Sequence, residues 1–513
     1  MRADIKLPGN PAESATSSVS LSAVEEGESG ATHGIGRLAV HGVLWTYLSA
    51  VGSKLLIFAS TVILARVLLP VEFGQVGFAL VVISYLDTVG DLGVSSALIY
   101  EREKPEEAAN VTFIVSLAMG LLWFAIAFAA APVIADFFND PAVVPILRVM
   151  AFVFVIKALG NTHDALLRRD LAFKKRVIPD FAMAMLKGLC SVALAFAGWG
   201  VWSLVLGQLL GTLAATVAFW AIVPWRPSFR ATWKTARRML SYSSKIMSVD
   251  VVSAVVYNAD YVIVGRILGS TALGFYTLAY RTPELLISMI VWVIGKVTFP
   301  VYSKLREERA ELRGAFLVTV RYLSLVTLPA GFGLAAIGAL FVSALYGDNW
   351  APAAWTMQAL AIVLALRSLG SHAGDVYKAT GHTNILVALA VLRGALLIPA
   401  MIWGARYGIL GVAIAQLIVT AASTILSLYV AARFLSISSL SLLREMKTAV
   451  VSSTVMVAVL YLLLPRLAPM GPVLGLTIGV CVGACVYAAM IWFTGREAIE
   501  QVRSTLFAKA GAR

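Results

Sequence analysis

The sequence predicts an all-α integral membrane protein. Fourteen transmembrane helices are expected: two parallel six-helix repeats, an N-lobe and a C-lobe, around a central cavity, and then two C-terminal helices. Three observations predict this. First, apolar runs fill nearly all of residues 43–493 in a chain that is 59% hydrophobic and 13% charged, with a mean hydropathy of +0.85. Runs of this length suit helices, which close their own backbone hydrogen bonds in lipid. Second, the stretch from Ala65 to Ala79 returns from Gly265 to Ala279 without a gap, aligning Arg66 with Arg266, Leu68 with Leu268, Gly74 with Gly274 and Ala79 with Ala279. Third, the lysines and arginines divide sharply between alternate loops.

In chain order, residues 1–36 form a Ser-, Glu- and Gly-rich tail, whose composition predicts disorder. The tail has no cationic stretch followed by a short apolar core and cleavage site, so it does not read as a signal peptide. The N-lobe, residues 37–223, holds spans at 43–65, 73–98, 110–135, 142–166, 177–197 and 200–223. A cytoplasmic linker covers 224–239. The C-lobe, 240–432, holds spans at 240–264, 272–301, 314–345, 353–377, 384–403 and 408–432. Residues 433–493 carry spans at 447–464 and 472–493, and 494–513 form a second cytoplasmic tail.

The repeat extends well beyond its first motif. Leu159-Gly160 matches Leu369-Gly370, which places Lys157 on Arg367. Leu186-Lys187-Gly188 matches Leu392-Arg393-Gly394. The run from Gly200 matches the run from Gly408, aligning Gln208 with Gln416 and Thr212 with Thr420. A period this long marks a doubled bundle, not a solenoid of small units.

With the N-terminus inside, the inner segments hold 27 of the 41 lysines and arginines, and the outer loops hold only Arg66, Arg266, Arg406 and Arg466. This asymmetry puts both termini in the cytoplasm. Six helices per repeat is an even number, so both repeats enter from the same side and are parallel about an axis along the membrane normal. The net charge of +13 is therefore a feature of cytoplasmic loops and not of nucleic-acid binding. Cys190, Cys481 and Cys485 lie in apolar helices and read as small core residues. The chain carries no H-E-x-x-H, P-loop or G-x-S-x-G motif, and no loop between spans exceeds about twenty residues. An extramembrane catalytic domain does not fit.

Ten basic residues fall within spans. Arg148, Lys245, Lys296 and Arg321 stand close enough to an end to snorkel. Lys54, Lys157, Lys187, Arg367 and Arg393 stand near mid-helix, where facing lipid would cost each roughly 3 kcal/mol. They must face protein or water, and Arg281 joins them as a candidate. Some pair with the acidic residues of the spans, which are Asp87, Asp91, Asp164, Asp180, Asp250, Asp260, Glu284 and Asp375. Yet Lys157 repeats as Arg367 and Lys187 as Arg393, so parallel lobes are expected to present them at equal depth. A cavity lined by Lys and Arg suits an anionic guest such as a phosphate or pyrophosphate.

The repeat motif, A-R-V-L-L-P-V-E-F-G and then N-A-D-Y-V-I-V-G-R-I-L-G-S-T-A-L-G-F-Y from Asn258 to Tyr276, resembles the polysaccharide-transporter branch of the MOP superfamily. These are the Wzx-type lipid-linked oligosaccharide flippases, and the likeness covers about residues 36–493. It implies translocation of an undecaprenyl-pyrophosphate-linked glycan between the leaflets of a bacterial inner membrane, by two lobes rocking about a central cavity. In related flippases a cavity cation stands about twelve residues before the A-R motif; Lys54 occupies that position here. The second arginine of some relatives is replaced by Ser60.

The expected headgroup ligands are thus Lys54, Lys157, Lys187, Arg281, Arg367 and Arg393. No cofactor is expected, although a buried carboxylate can couple transport to H⁺ or Na⁺, with Asp260 first and Asp250, Asp87 and Asp91 following. The expected partners are the lipid-linked glycan, membrane lipids and the polymerase and export machinery of the pathway. The chain is expected to act as a monomer, with no catalytic site, no metal and no nucleic acid. The alternatives are a peptidoglycan-precursor flippase or a MATE-like small-molecule exporter; the cationic cavity argues against the exporter.

Overall fold

The computed structural model describes residues 51–90, 93–101, 104–228, 232, 235–239 and 258–494. Among them every regular element is helical, and eleven stretches are long and apolar enough to cross a membrane. Asp91, Asp250, both tails and the start of the seventh predicted span lie outside the described residues.

Helix α1 is described over 51–67, and α2 spans Pro70–Gly90. The break between them is chemical. Pro70 has no N–H to donate and sits at the first position of α2, while the Glu72 carboxylate accepts from the Leu69 amide at 2.7 Å. After α2 the predicted second span is interrupted, and α3 (Val94–Tyr100) follows Gly93, whose φ of 70° a side chain would disfavour. The N-terminal half continues with α4 (Pro105–Phe138), α5 (Val143–Met150), α6 (Phe152–Arg169), α7 (Phe173–Phe196) and α8 (Val201–Ile222). The fourth predicted span is therefore two helices in series.

In the second half, α9 (Ala259–Lys304) joins the end of the seventh predicted span to the eighth across a kink. That kink is Gly269, with φ 85° and ψ −179°, at the position aligned with Leu69. One copy thus makes its hinge with proline and a carboxylate cap, the other with glycine. Then come α10 (Arg309–Leu345), α11 (Ala353–Ala379), α12 (Thr383–Gly404) and α13 (Gly408–Phe434). The last two are α14 (Ser439–Leu467) and α15 (Pro472–Thr494). Helix α14 starts earlier than predicted, because Ser438 caps it by accepting from the Leu440 amide at 3.2 Å.

The two halves meet where the repeat motifs cross. A Cβ on Gly74 would collide with the Ser270 carbonyl, and one on Gly274 would collide with the Pro70 carbonyl. Pro70 and Ser270 are themselves aligned, so the contact is reciprocal, and α2 and α9 lie backbone against backbone. The buried core runs through this crossing without interruption, from Phe78 and Met150 to Tyr276, Phe316 and Trp350. Elsewhere large apolar side chains such as Phe196 (70% exposed) and Leu462 (77%) face outward. In water such a surface would aggregate; in lipid it costs nothing.

Candidate anion-binding cavities

The sequence predicts one set of cavity cations; the structure sorts them into three places. Lys54 of α1, Lys187 of α7 and Arg281 of α9 line a cavity of about 390 Å³, together with Thr61, Glu284 and Tyr346. Helix α7 can approach α1 here because Gly188 lies over the Ser60 side chain. Lys187 Nζ donates to the Gln208 side-chain oxygen of α8 at 2.5 Å, which holds the ammonium in place while leaving it donors to spare. Tyr346 is fixed by a 2.5 Å hydrogen bond between its hydroxyl and that of Thr282. Three cations with one carboxylate make this region net positive.

Arg367 of α11 and Arg393 of α12 lie elsewhere, lining a separate cavity of about 250 Å³ with Thr420 of α13. Arg367 donates to the Tyr280 hydroxyl at 2.9 Å. Its walls are otherwise largely apolar, including Leu386, Leu389 and Leu396.

Lys157 belongs to neither cavity's lining. It makes a two-pronged ion pair with Asp87 of α2, at 2.8 and 2.6 Å to the two carboxylate oxygens. Its side chain is 39% exposed and that of Asp87 44%. Equal depth with Arg367 was expected from the repeat, but the partners differ: a carboxylate for one and a phenol for the other. Arg321, expected to snorkel, pairs with Glu445, which lies just before the predicted span at 447–464.

Asp260 is 2% exposed. It accepts from the Tyr276 hydroxyl at 2.9 Å, from the Tyr261 amide at 3.0 Å and from Gln416 Nε2 at 3.4 Å. Asp260 is the first of the carboxylates expected from the sequence; its hydrogen-bond donors and the Tyr280–Arg367 contact are not among the expected site residues. Gln416 and Thr420 carried a signal, since both recur at aligned positions; Tyr276 and Tyr280 carried none beyond their place in the motif.

At the end of the molecule bearing the motif hinges, which is the predicted outer face, the halves are joined by further bonds. Trp350 Nε1 donates to the Ala65 carbonyl at 2.6 Å, and its ring meets that of Phe73 edge-on at 5.1 Å.

Comparison with known proteins agrees with this architecture. A family described as "Polysaccharide biosynthesis protein" matches residues 63–355. The chain is 24% identical over 394 residues to the lipopolysaccharide biosynthesis protein WzxC of Escherichia coli (strain K12), covering 76% of this chain and 80% of that one. It is 26% identical over 381 residues to the succinoglycan biosynthesis transport protein ExoT of Rhizobium meliloti (strain 1021), covering 74% and 77%. Among solved structures, the lipid II flippase MurJ in an inward closed conformation superposes with a TM-score of 0.72 at 16% identity, covering 89% of this chain and 100% of that one. An inward-facing MATE multidrug transporter of the MOP superfamily gives 0.63 at 17% identity, covering 75% and 94%. At such identities the structural likeness is one of fold.

Proposed function

Because the chain belongs to the polysaccharide biosynthesis protein family, we propose that it is a flippase. Its substrate is an undecaprenyl-pyrophosphate-linked oligosaccharide, moved across a bacterial inner membrane for surface polysaccharide synthesis. The observation that carries this reading is the cavity where Lys54, Lys187 and Arg281 converge on one space from three helices. A diphosphate brings several acceptor oxygens and negative charge to that space, and both Lys and Arg donors bind them strongly. Relatives named as a lipopolysaccharide biosynthesis protein and a succinoglycan transport protein support the same substrate class.

In this reading the chain has fourteen spans, six in each lobe and two appended, with both termini cytoplasmic, and it works as a monomer. The cavity is exposed to one leaflet at a time. The hydrogen bonds from Arg66 to the Leu345 and Ala344 carbonyls, the Trp350 contacts and the Gly74–Gly274 crossing hold the outer end closed, and the two states interconvert with the guest bound. Asp260 is the coupling carboxylate, should H⁺ or Na⁺ be coupled. A small-molecule exporter for cationic drugs fits poorly, because its guest would meet like charge.

The test is genetic. Disrupting the gene should abolish a surface polysaccharide and leave the cell wall viable. Returning Lys54→Ala, Lys187→Ala or Arg281→Ala should restore export only to about a tenth or less, on the strength of one charge-assisted hydrogen bond. The loop variant Arg306→Ala should restore it fully. Normal export from all three cavity variants at normal expression overturns the reading; a wall defect in place of polysaccharide loss points to a peptidoglycan precursor.

A further inference from the structure

The repeat places the same three positions in both halves: Lys187, Gln208 and Thr212 in the first, Arg393, Gln416 and Thr420 in the second. In the first half these groups satisfy one another. Lys187 donates to the Gln208 side chain at 2.5 Å, and the Thr212 hydroxyl donates to the Gln208 carbonyl at 2.8 Å.

In the second half the glutamine is drawn away. Gln416 donates to Asp260 at 3.4 Å and accepts from the Tyr276 hydroxyl at 3.4 Å. Arg393 Nε and the Thr420 hydroxyl are then buried with no hydrogen-bond partner among the described residues, and so is the hydroxyl of Tyr377. Thr420 is 1% exposed and Tyr377 fully buried. All three residues line the same 250 Å³ cavity between α11, α12 and α13, and so does Arg367. Among the described residues no acidic side chain lines it.

A buried donor without an acceptor is costly, so native structures supply one. Here the donors include a guanidinium and two hydroxyls with a second guanidinium nearby, which is the donor set for a tetrahedral oxyanion. The remaining wall is leucine-rich, which suits a hydrocarbon chain. At about 250 Å³ the cavity has room for an anionic group and the first carbons of a chain that continues out of it, but not for an oligosaccharide beside them.

We propose that this cleft binds the phosphate end of a single-chain lipid phosphate or diphosphate, independently of the cations of the larger cavity and without need of a glycan. The identity of that lipid as the glycan carrier rests on the flippase reading; the anion site itself does not.

The experiment is direct binding to the purified full-length protein in detergent, using farnesyl diphosphate as probe and following it by isothermal titration calorimetry and native mass spectrometry. Saturable binding is expected, weakened about tenfold or more by Arg393→Gln, which removes one charge-assisted interaction. Thr420→Val should weaken it less, and it keeps volume and fold should the arginine variant not assemble. Arg306→Gln, which lines neither cavity, should leave binding unchanged. Farnesol should not bind, and inorganic diphosphate should bind at least tenfold more weakly than the lipid. Unchanged affinity in both Arg393→Gln and Thr420→Val overturns the site, as does no binding to the parent protein. Equal affinity for inorganic diphosphate overturns the lipid and leaves a free-anion site. Lipid binding that persists in a protein whose gene deletion spares surface polysaccharide overturns the flippase reading and keeps the site.

Discussion

Arg66 and Leu345 are 279 residues apart, yet Arg66 Nε donates to the Leu345 carbonyl at 2.9 Å, while the guanidinium also reaches the Ala344 carbonyl. Those carbonyls end α10, where no further turn of helix supplies donors and the helix dipole favours a cation. The aligned Arg266 repeats the arrangement from the other half. It lies over the Phe137 ring, 5.4 Å from its centroid, at the end of α4, and bonds the Asn139 side-chain oxygen once that amide is oriented to satisfy its neighbours. Each motif arginine thus clasps the end of a helix in the opposite half.

Removing a clasp should loosen the closed end. A charge-assisted bond of this kind contributes about 1–2 kcal/mol, so Arg66→Gln should shift the balance between closed and open states by roughly 5–30-fold. The readout is labelling of Ser288→Cys, a lining residue of the larger cavity, by a membrane-impermeant maleimide added from outside to a variant lacking the native cysteines. Labelling should rise in Arg66→Gln, and further when Arg266→Gln is added. Unchanged labelling in the double variant would mean the arginines do not hold this end.

The Gly74–Gly274 crossing should be intolerant of a single methyl group. Gly74→Ala or Gly274→Ala forces a side chain into a carbonyl of the opposing helix. Overpacking of this kind costs typically 1–3 kcal/mol, visible as a lower thermal midpoint of the purified protein. Gly314 of α10 has open space around it and normal helical geometry, so Gly314→Ala should be neutral or stabilising by up to about 1 kcal/mol. Equal midpoints for Gly74→Ala and Gly314→Ala would contradict the tight crossing.

Lys157 and Asp87 should behave as a pair. With both side chains about two-fifths exposed, their bond is worth on the order of 1 kcal/mol or less to folding, so single variants should remain folded. Lys157→Asp and Asp87→Lys should each reduce export, and combining them should recover much of it. A double variant as defective as the worse single one would show that Lys157 meets the guest itself.

Asp260 calls for a different comparison. Its carboxylate accepts from Tyr276 and Gln416 in a buried setting. Asp260→Asn keeps an acceptor of the same shape, whereas Asp260→Leu strands both donors at about 1–3 kcal/mol each. Asparagine should therefore retain stability and leucine should lose it. If the carboxylate couples an ion gradient, reconstituted Asp260→Asn should still bind lipid yet transport it at a rate indifferent to pH gradient and membrane potential. Indifference of the parent protein to both gradients would reduce Asp260 to scaffolding.

The sequence by itself determined that this is a membrane protein, because apolar length and composition are one-dimensional properties. It determined the duplicated motif; the breaks at Leu69–Pro70 and Gly269 are also local in origin, because proline, a cap and glycine act on their own backbone. It also delivered the inventory of intramembrane cations and the first-ranked carboxylate.

Only the tertiary structure decided which of those cations meet. Helix spacing says that Lys54, Lys187 and Arg281 are buried or wetted. It does not set the rotation of α1, α7 and α9 about their axes, which brings the three to one cavity while Arg367 and Arg393 line another and Lys157 turns to Asp87. Duplication made Gln208 and Gln416 equivalent on paper. Packing then gave one to a lysine and the other to a buried aspartate, because hydrogen bonds discriminate over a few tenths of an ångström and helix positions are settled by the whole of the surrounding core.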